Sequence, residues 1–129
     1  MNVTEVSTWF DEYNETFGAC ARAERSVEHI LDFYAETAFI TTSGPVIGPG
    51  AGAVTAWARA QMESLRAADY SRTEIVQREV VLLNQNTALF TGEFSRLSRS
   101  GLEISRFSVT YLIVRLDDRP QICALALRP

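Results

Sequence analysis

Few side chains in this sequence can do chemistry. His29 is the one imidazole, and its unperturbed pKa near neutrality makes it the natural acid–base candidate. It lies beside Glu28 and one turn before Asp32, off the apolar stripe of its segment, which reads as a surface or rim position. Cys20 and Cys123 are the two thiols. With one histidine they are too few for a Cys/His zinc site, and in a reducing compartment they read as buried free thiols. All twelve basic residues are arginine. Without lysine there is no Schiff base, no pyridoxal anchor and no Walker-type phosphate loop; no cofactor and no metal are expected, although the count of carboxylates does not exclude a carboxylate-rich metal site.

What remains is phenolic and aromatic. Tyr13, Tyr34 and Tyr111 fall on inward faces, and a buried phenol must either find a partner or face a cavity. Trp9, Trp57, Phe94 and Phe107 share those faces; together with the tyrosines they are the candidate ligand-binding wall. Arg96 lies on the same sheet face near its distal end, which suits a pocket mouth meeting an anion or a side chain reaching out to solvent. Glu93 and Arg106 fall on the opposite face as a cross-strand pair or dimer contact. The run Gly48-Pro49-Gly50-Ala51-Gly52 reads as a turn and a helix start, since no βαβ unit precedes it.

The elements that position these residues follow from periodicity. Val6, Trp9, Phe10, Tyr13 and Phe17 recur at three and four, one face of an amphipathic helix whose other face carries Asp11, Glu12 and Glu15. After Gly18, Ser26 is expected to cap a shorter second helix with an inward stripe of Val27, Ile30, Leu31 and Tyr34. Phe39 to Thr42 against Val46-Ile47 reads as a short hairpin punctuated by Gly44-Pro45 and Gly48-Pro49-Gly50. A third helix is expected from Ala51 to Ala67, with Val54, Trp57, Ala58, Gln61, Met62 and Leu65 inward. From Arg72 onward four extended runs, separated by turn signals at Asn84 to Asn86, Ser100-Gly101 and Asp117 to Pro120, form an antiparallel meander. The fold class is thus α+β, with three N-terminal helices on one face of a curved, mainly antiparallel sheet made of the hairpin and the meander.

A two-residue loop at Ser100-Gly101 would set Arg99 opposite Leu102 and fix the register. Phe94 then faces Phe107, Gly92 faces Val109, Phe90 faces Tyr111 and Ala88 faces Ile113, an aromatic and apolar face. The other face pairs Leu97 with Ile104, Ser95 with Arg106, Thr91 with Thr110 and Leu89 with Leu112.

The chain has 129 residues, 47% of them hydrophobic, and a formal charge of −4. That suits a single domain over residues 1–129. Scattered arginines on an acidic chain give no nucleic-acid footprint. There is no apolar run of about 18 residues for a membrane span, and the N-terminus is polar and acidic where a signal peptide would be basic and then apolar. No nucleic-acid or membrane partner is expected, and the cytoplasm is the expected compartment.

A helix with an inward Tyr, a segment reading LDFYAETAFITTSGPVIG, a helix bearing a Trp, and a meander containing TALFTGEFSR, SGLEISR and TYLIVR resemble the nuclear transport factor 2-like superfamily. Within it the chain looks most like the SnoaL-like domains, particularly a bacterial set without assigned function. The resemblance covers roughly Val6 to Leu127. It implies a cone-shaped domain enclosing one pocket and a homodimer formed through the outer sheet face, here Leu89, Thr91, Glu93, Arg106, Thr110 and Leu112. In the ketosteroid isomerases of the superfamily a first-helix Tyr donates to an oxyanion, and Tyr13 stands at the comparable place. Their general-base Asp would fall within Ile40 to Pro45, which holds no carboxylate, so that route to proton abstraction is not supported. The Asp-Arg-Asp arrangement of limonene epoxide hydrolases is not visible as a motif, although Asp32, Glu93, Arg96 and Arg106 could be brought together by folding.

These readings converge on a domain binding a hydrophobic small molecule in an apolar, tyrosine-lined pocket. The alternatives are an isomerase, cyclase or dehydratase acting on a hydrophobic ketone or polycyclic substrate, and a structural dimerisation module. On the binding reading Tyr13→Phe should cost ligand affinity and leave stability nearly unchanged.

Overall fold

The computed structural model describes residues 1–128. Helix α1, Val3–Ala21, starts where the Asn2 side chain accepts a hydrogen bond from the Glu5 backbone N–H at 2.8 Å, satisfying a donor that the first turn leaves open. Val6, Phe10, Tyr13 and Phe17 are buried along its expected stripe, and the helix continues through Gly18 to Cys20 and Ala21, also buried. Helix α2, Ala51–Ala67, has the expected bounds, with Val54, Ala58, Met62 and Leu65 buried.

The segment between them departs from expectation. Val27–Phe33 forms a 3-10 helix, in which three residues make a turn. Val27 and Ile30 are buried, while Leu31 and Phe33 are only partly so. Ser26 does not cap it with its side chain; its hydroxyl donates to Glu28 at 2.6 Å instead. Tyr34 is not helical. It opens strand β1, Tyr34–Thr41, pairing with Ile122. The expected hairpin shrinks to a single bridge between Ile40 and Ile47, because the strand formed by Phe39 to Thr41 finds a longer partner in the last strand.

The remaining strands are β2 (Tyr70–Asn84), β3 (Thr87–Ser98), β4 (Glu103–Leu116) and β5 (Arg119–Arg128). They form the expected antiparallel meander, and β1 adds parallel to β5, giving one mixed sheet of order β1-β5-β4-β3-β2. The three helical segments pack against one face of this sheet and share its core. Among the described residues no helix is long and apolar enough to cross a membrane.

The β3–β4 register from Thr87·Val114 to Arg96·Ser105 is as expected, but the turn between the strands differs from the expected one. Ser98 N–H donates to Leu102 O, and Leu97 rather than Arg96 is the first residue out of step, pairing with Glu103. The loop is therefore one residue longer than a two-residue hairpin, and Ile104 is the extra residue in β4 that restores the register. Leu97 does not face Ile104. The bulge cancels the longer loop, so the faces of the sheet stay as assigned from Ser105 onward, whereas Ile104, expected on the outer face, packs against the core on the α2 side.

Inside, Phe10 is the hub. Its ring stacks on Phe90 at 3.8 Å and meets the edges of Tyr13 and Tyr111 at 5.4 and 4.9 Å. Gly92 makes room for this layer: a Cβ there would lie 2.5 Å from Phe94 Cζ and 3.2 Å from Phe90 Cε1. Both rings are buried and cannot swing away. Gly92→Ala is expected to destabilise the fold by about 1–3 kcal/mol through overpacking, read as a lower urea midpoint with an unchanged m-value.

Candidate functional site

Two tyrosine hydroxyls meet beneath α1, with the ring of a third tyrosine beside them. Tyr13 reaches inward from the middle of the helix, and Tyr34 reaches it from the start of β1, their hydroxyls 2.6 Å apart. Tyr111, on β4, has its ring 6.1 Å from that of Tyr13. Its hydroxyl makes no hydrogen bond to any described residue. One O–H of the Tyr13–Tyr34 pair donates to the other oxygen, and the second O–H of the pair and that of Tyr111 are not used in bonds to described side chains.

Next to these tyrosines, α1, α2 and β2 to β5 line a small, partly open cavity of about 30 Å³, enough for an ordered water and far below the roughly 300–1,000 Å³ of ordinary ligand pockets. Phe10, Tyr13, Asn14 and Phe17 line it from α1, Trp57 from α2, Phe94 and Arg96 from β3, and Phe107, Val109 and Tyr111 from β4. Thr73, Leu125 and Leu127 close the remaining sides. Six of the eight residues singled out by sequence thus come together: Tyr13, Trp57, Phe94, Arg96, Phe107 and Tyr111. Tyr34 stands behind Tyr13 rather than in the wall. Trp9 lies elsewhere, packed on Phe33 at 5.5 Å beside a surface groove with Glu5, Glu12 and Pro120.

Asn14, Phe17, Phe10, Thr73, Val109 and the two β5 leucines join the wall without having been singled out as site residues by sequence. The first two carry a signal: Asn14 is one turn beyond Phe10, and Phe17 one turn beyond Tyr13, on the inward side of α1. Asn14 fixes its amide by donating to Thr73 O at 3.2 Å.

Arg96 closes the chamber. Its guanidinium carbon lies 4.5 Å from the centroid of Phe107 and 5.3 Å from that of Phe17, so two aromatic faces hold the cation. Nη1 donates to Gln61 Oε1 at 3.1 Å. Burial lowers its pKa, and the neighbouring tyrosines partly offset this; guanidinium still stays charged. Among the described residues no aspartate, glutamate or histidine lines the cavity. His29 is exposed, its Nδ1 3.0 Å from Ser26 O, and Asp32 is exposed as well. Glu93 and Arg106 pair at 3.5 Å on the outer face, with Glu103 3.0 Å from Arg106 Nε. Cys20 and Cys123 are free thiols, Cys20 buried and donating to Ser26 O.

Residues 4–129 match the model of an NTF2-like protein family, DUF6841. The chain belongs to that family. Among solved structures it is similar to an NTF2-like protein of unknown function from Shewanella oneidensis, with a TM-score of 0.75 at 17% identity over 98% of each chain. A cystatin-like protein of unknown function from Nostoc punctiforme gives 0.75 at 13%, covering 98% of this chain and 93% of its own. Aln2 from a Streptomyces species gives 0.75 at 16%, covering 97% and 88%. At these identities the likeness is one of fold. No curated protein matches the chain. The α+β architecture and the superfamily inferred from the order of elements are therefore those of the protein.

All four tyrosines, Tyr70 included, are held above the ordinary phenol range, in each case chiefly by burial. The unfolded chain ionises its phenols near pH ~10, whereas the folded chain keeps them neutral. Their contribution to stability is complete below about pH 10 and is lost as pH rises above it, by about 1.4 kcal/mol per phenol for each pH unit until the folded pKa is reached. Phenolate absorbance is expected to appear in one cooperative step together with loss of the far-ultraviolet signal. Independent ionisation of Tyr13 or Tyr111 in the folded protein would contradict this burial.

Proposed function

We propose that this NTF2-like domain binds a small, largely apolar molecule through the aromatic chamber. The observation that carries the reading is the aromatic-walled cavity onto which Tyr13, Tyr111 and Arg96 open, with Arg96 Nε buried there and meeting no acceptor. A buried donor without an acceptor is costly to a fold and is retained most economically where a ligand atom or a water answers it. The chamber holds an acceptor group rather than a whole ligand, so the body of the molecule lies outward, past Trp57. A wall without an acid or imidazole favours binding over the isomerase, cyclase or dehydratase reading, since carbon acid chemistry needs a base within reach.

The two tyrosines separate the structural role from the binding role. Tyr13→Phe leaves the Tyr34 hydroxyl buried without a partner and is expected to cost about 1–3 kcal/mol of stability; the 2.6 Å bond reverses the expectation that this change is neutral for folding. Tyr111→Phe removes a hydroxyl with no partner, so stability should hold or rise while affinity for an acceptor-bearing ligand falls by about 0.5–1.5 kcal/mol. Thermal-shift screening against hydrophobic ketones and acids, followed by titration of the best binder into both variants, reads this out. Unchanged affinity in Tyr111→Phe would overturn the assignment.

We also propose that the outer sheet face seats a second copy of the chain. Phe39, Ala124, Leu112, Leu89 and Val81 are successive cross-strand partners, so one apolar row runs across all five strands. Thr91 and Thr110 lie beside it, their hydroxyls bonded at 3.0 Å. Arg106 is already neutralised by Glu93 and Glu103. An isologous copy would thus cover apolar area with Arg106 already paired. Light scattering should give twice the chain mass, and Leu112→Glu should halve it; a monomer at micromolar concentration would remove the proposal.

A further inference from the structure

The binding reading leaves open what kind of molecule the chamber answers, and Arg96 narrows it. Every other arginine that points into a contact with a carboxylate does so at the surface: Arg22, Arg59, Arg72, Arg78, Arg99, Arg106 and Arg115 each pair with a glutamate or aspartate of the chain. Arg96 has no such partner among the described residues, although it is the one placed between aromatic rings on the inner face. Its Nη1 is taken by Gln61. Its Nε is shut from solvent and meets no acceptor, and Nη2, which shares the edge with Nε, donates to no described residue. That edge is the one through which guanidinium grips a carboxylate with two parallel hydrogen bonds.

The position of this edge matters as much as its chemistry. Arg96 and Trp57 belong to two walls at once, that of the inner chamber and that of an open groove of about 500 Å³ between α2 and the start of β4. The groove runs past Ala60, Ser64, Leu65 and Ile104, with Ser105 opposite Arg96 across the strand pair. Its size falls within the roughly 300–1,000 Å³ range of small-molecule sites, and its floor is mainly apolar. One cation thus stands where the aromatic chamber meets a groove able to hold an apolar body.

We propose that the ligand is an apolar or aromatic monocarboxylate, its carboxylate held by the free edge of Arg96 and its body lying along the groove against Trp57, Leu65 and Ile104. This rests on the binding reading and specifies its ligand class. A neutral ketone would answer the phenols but leave the guanidinium edge unpaired, whereas a carboxylate supplies two acceptors and the missing charge. A dianion or a phosphate would bring more charge than one cation offsets, since the nearest other chamber groups are neutral phenols, Asn14 and Thr73.

The test uses matched pairs of an acid and its primary amide: benzoate and benzamide, cinnamate and cinnamamide, naphthoate and naphthamide. Each is titrated by calorimetry into the wild type, Arg96→Gln and Ser105→Glu. At least one acid should bind the wild type about tenfold tighter than its amide, the scale of one charge-assisted hydrogen bond, and Arg96→Gln should erase that difference. Ser105→Glu keeps the arginine and places a carboxylate of the chain beside it. It should abolish acid binding while raising the melting temperature, so the question stays answerable if Arg96→Gln fails to fold. Amides binding as tightly as acids, or a preference for acids surviving in Arg96→Gln, would overturn the carboxylate assignment and leave the binding reading in place. If neither class binds at millimolar concentration, with only a water on the Arg96 edge, both readings fall.

Discussion

The stacking of Phe10 on Phe90 is the contact on which the rest of the molecule turns. It is the point where α1 is fixed to the centre of the sheet, and an aromatic pair contributes about 0.5–1.5 kcal/mol beyond the area it buries. Tyr13 is one turn further along the same helix, so its hydroxyl arrives at Tyr34 only if Phe10 is seated. Phe94 and Tyr111 also touch the Phe10 ring. The packing that holds the helix to the sheet is therefore the packing that shapes the chamber, and the site cannot be loosened without loosening the fold.

Much of this is legible in the residues. The stripe of α1, the bounds of α2 and the meander follow from period and punctuation because each is a local property. Sheet faces are legible for the same reason: Phe90, Gly92, Phe94 and their partners alternate strictly, and alternation fixes a face whatever the turn does. What fails is non-local. Tyr34 reads as helical since Val27, Ile30 and Leu31 precede it at helical spacing, and only its pairing with Ile122 makes it a strand residue. The loop at Ser100-Gly101 and the bulge at Ile104 compensate each other, so two local departures leave the register unharmed. Trp9 shares the α1 stripe at the sequence level but sits at its edge, where the helix turns toward solvent.

The chemistry of the site is less legible than its membership. That Tyr13 bonds Tyr34 while Tyr111 bonds nothing among the described residues depends on distances of a few tenths of an ångström between three elements distant in sequence. That Arg96 is buried on the inner face without a carboxylate depends on where every Asp and Glu ended up. Composition states that cations are few and never lysine; it does not say which of them the fold leaves unanswered. A charge inventory becomes informative about function only after the structure has cancelled the pairs.

The parallel pairing of β1 with β5 bears on how the chain reaches this state. Tyr34 and Ile122 are neighbours in the sheet but 88 positions apart in sequence, whereas β2 to β5 meet across short turns. Closing so long a loop costs entropy before any contact repays it, so topology places the meander early and β1 late in assembly. Until β1 docks, the edge of β5 is open and Tyr13 has no hydroxyl to meet. The strand that completes the buried phenol pair is thus also the one that covers the β5 edge, and a chain with β1 undocked would present a bare edge of the kind through which copies associate.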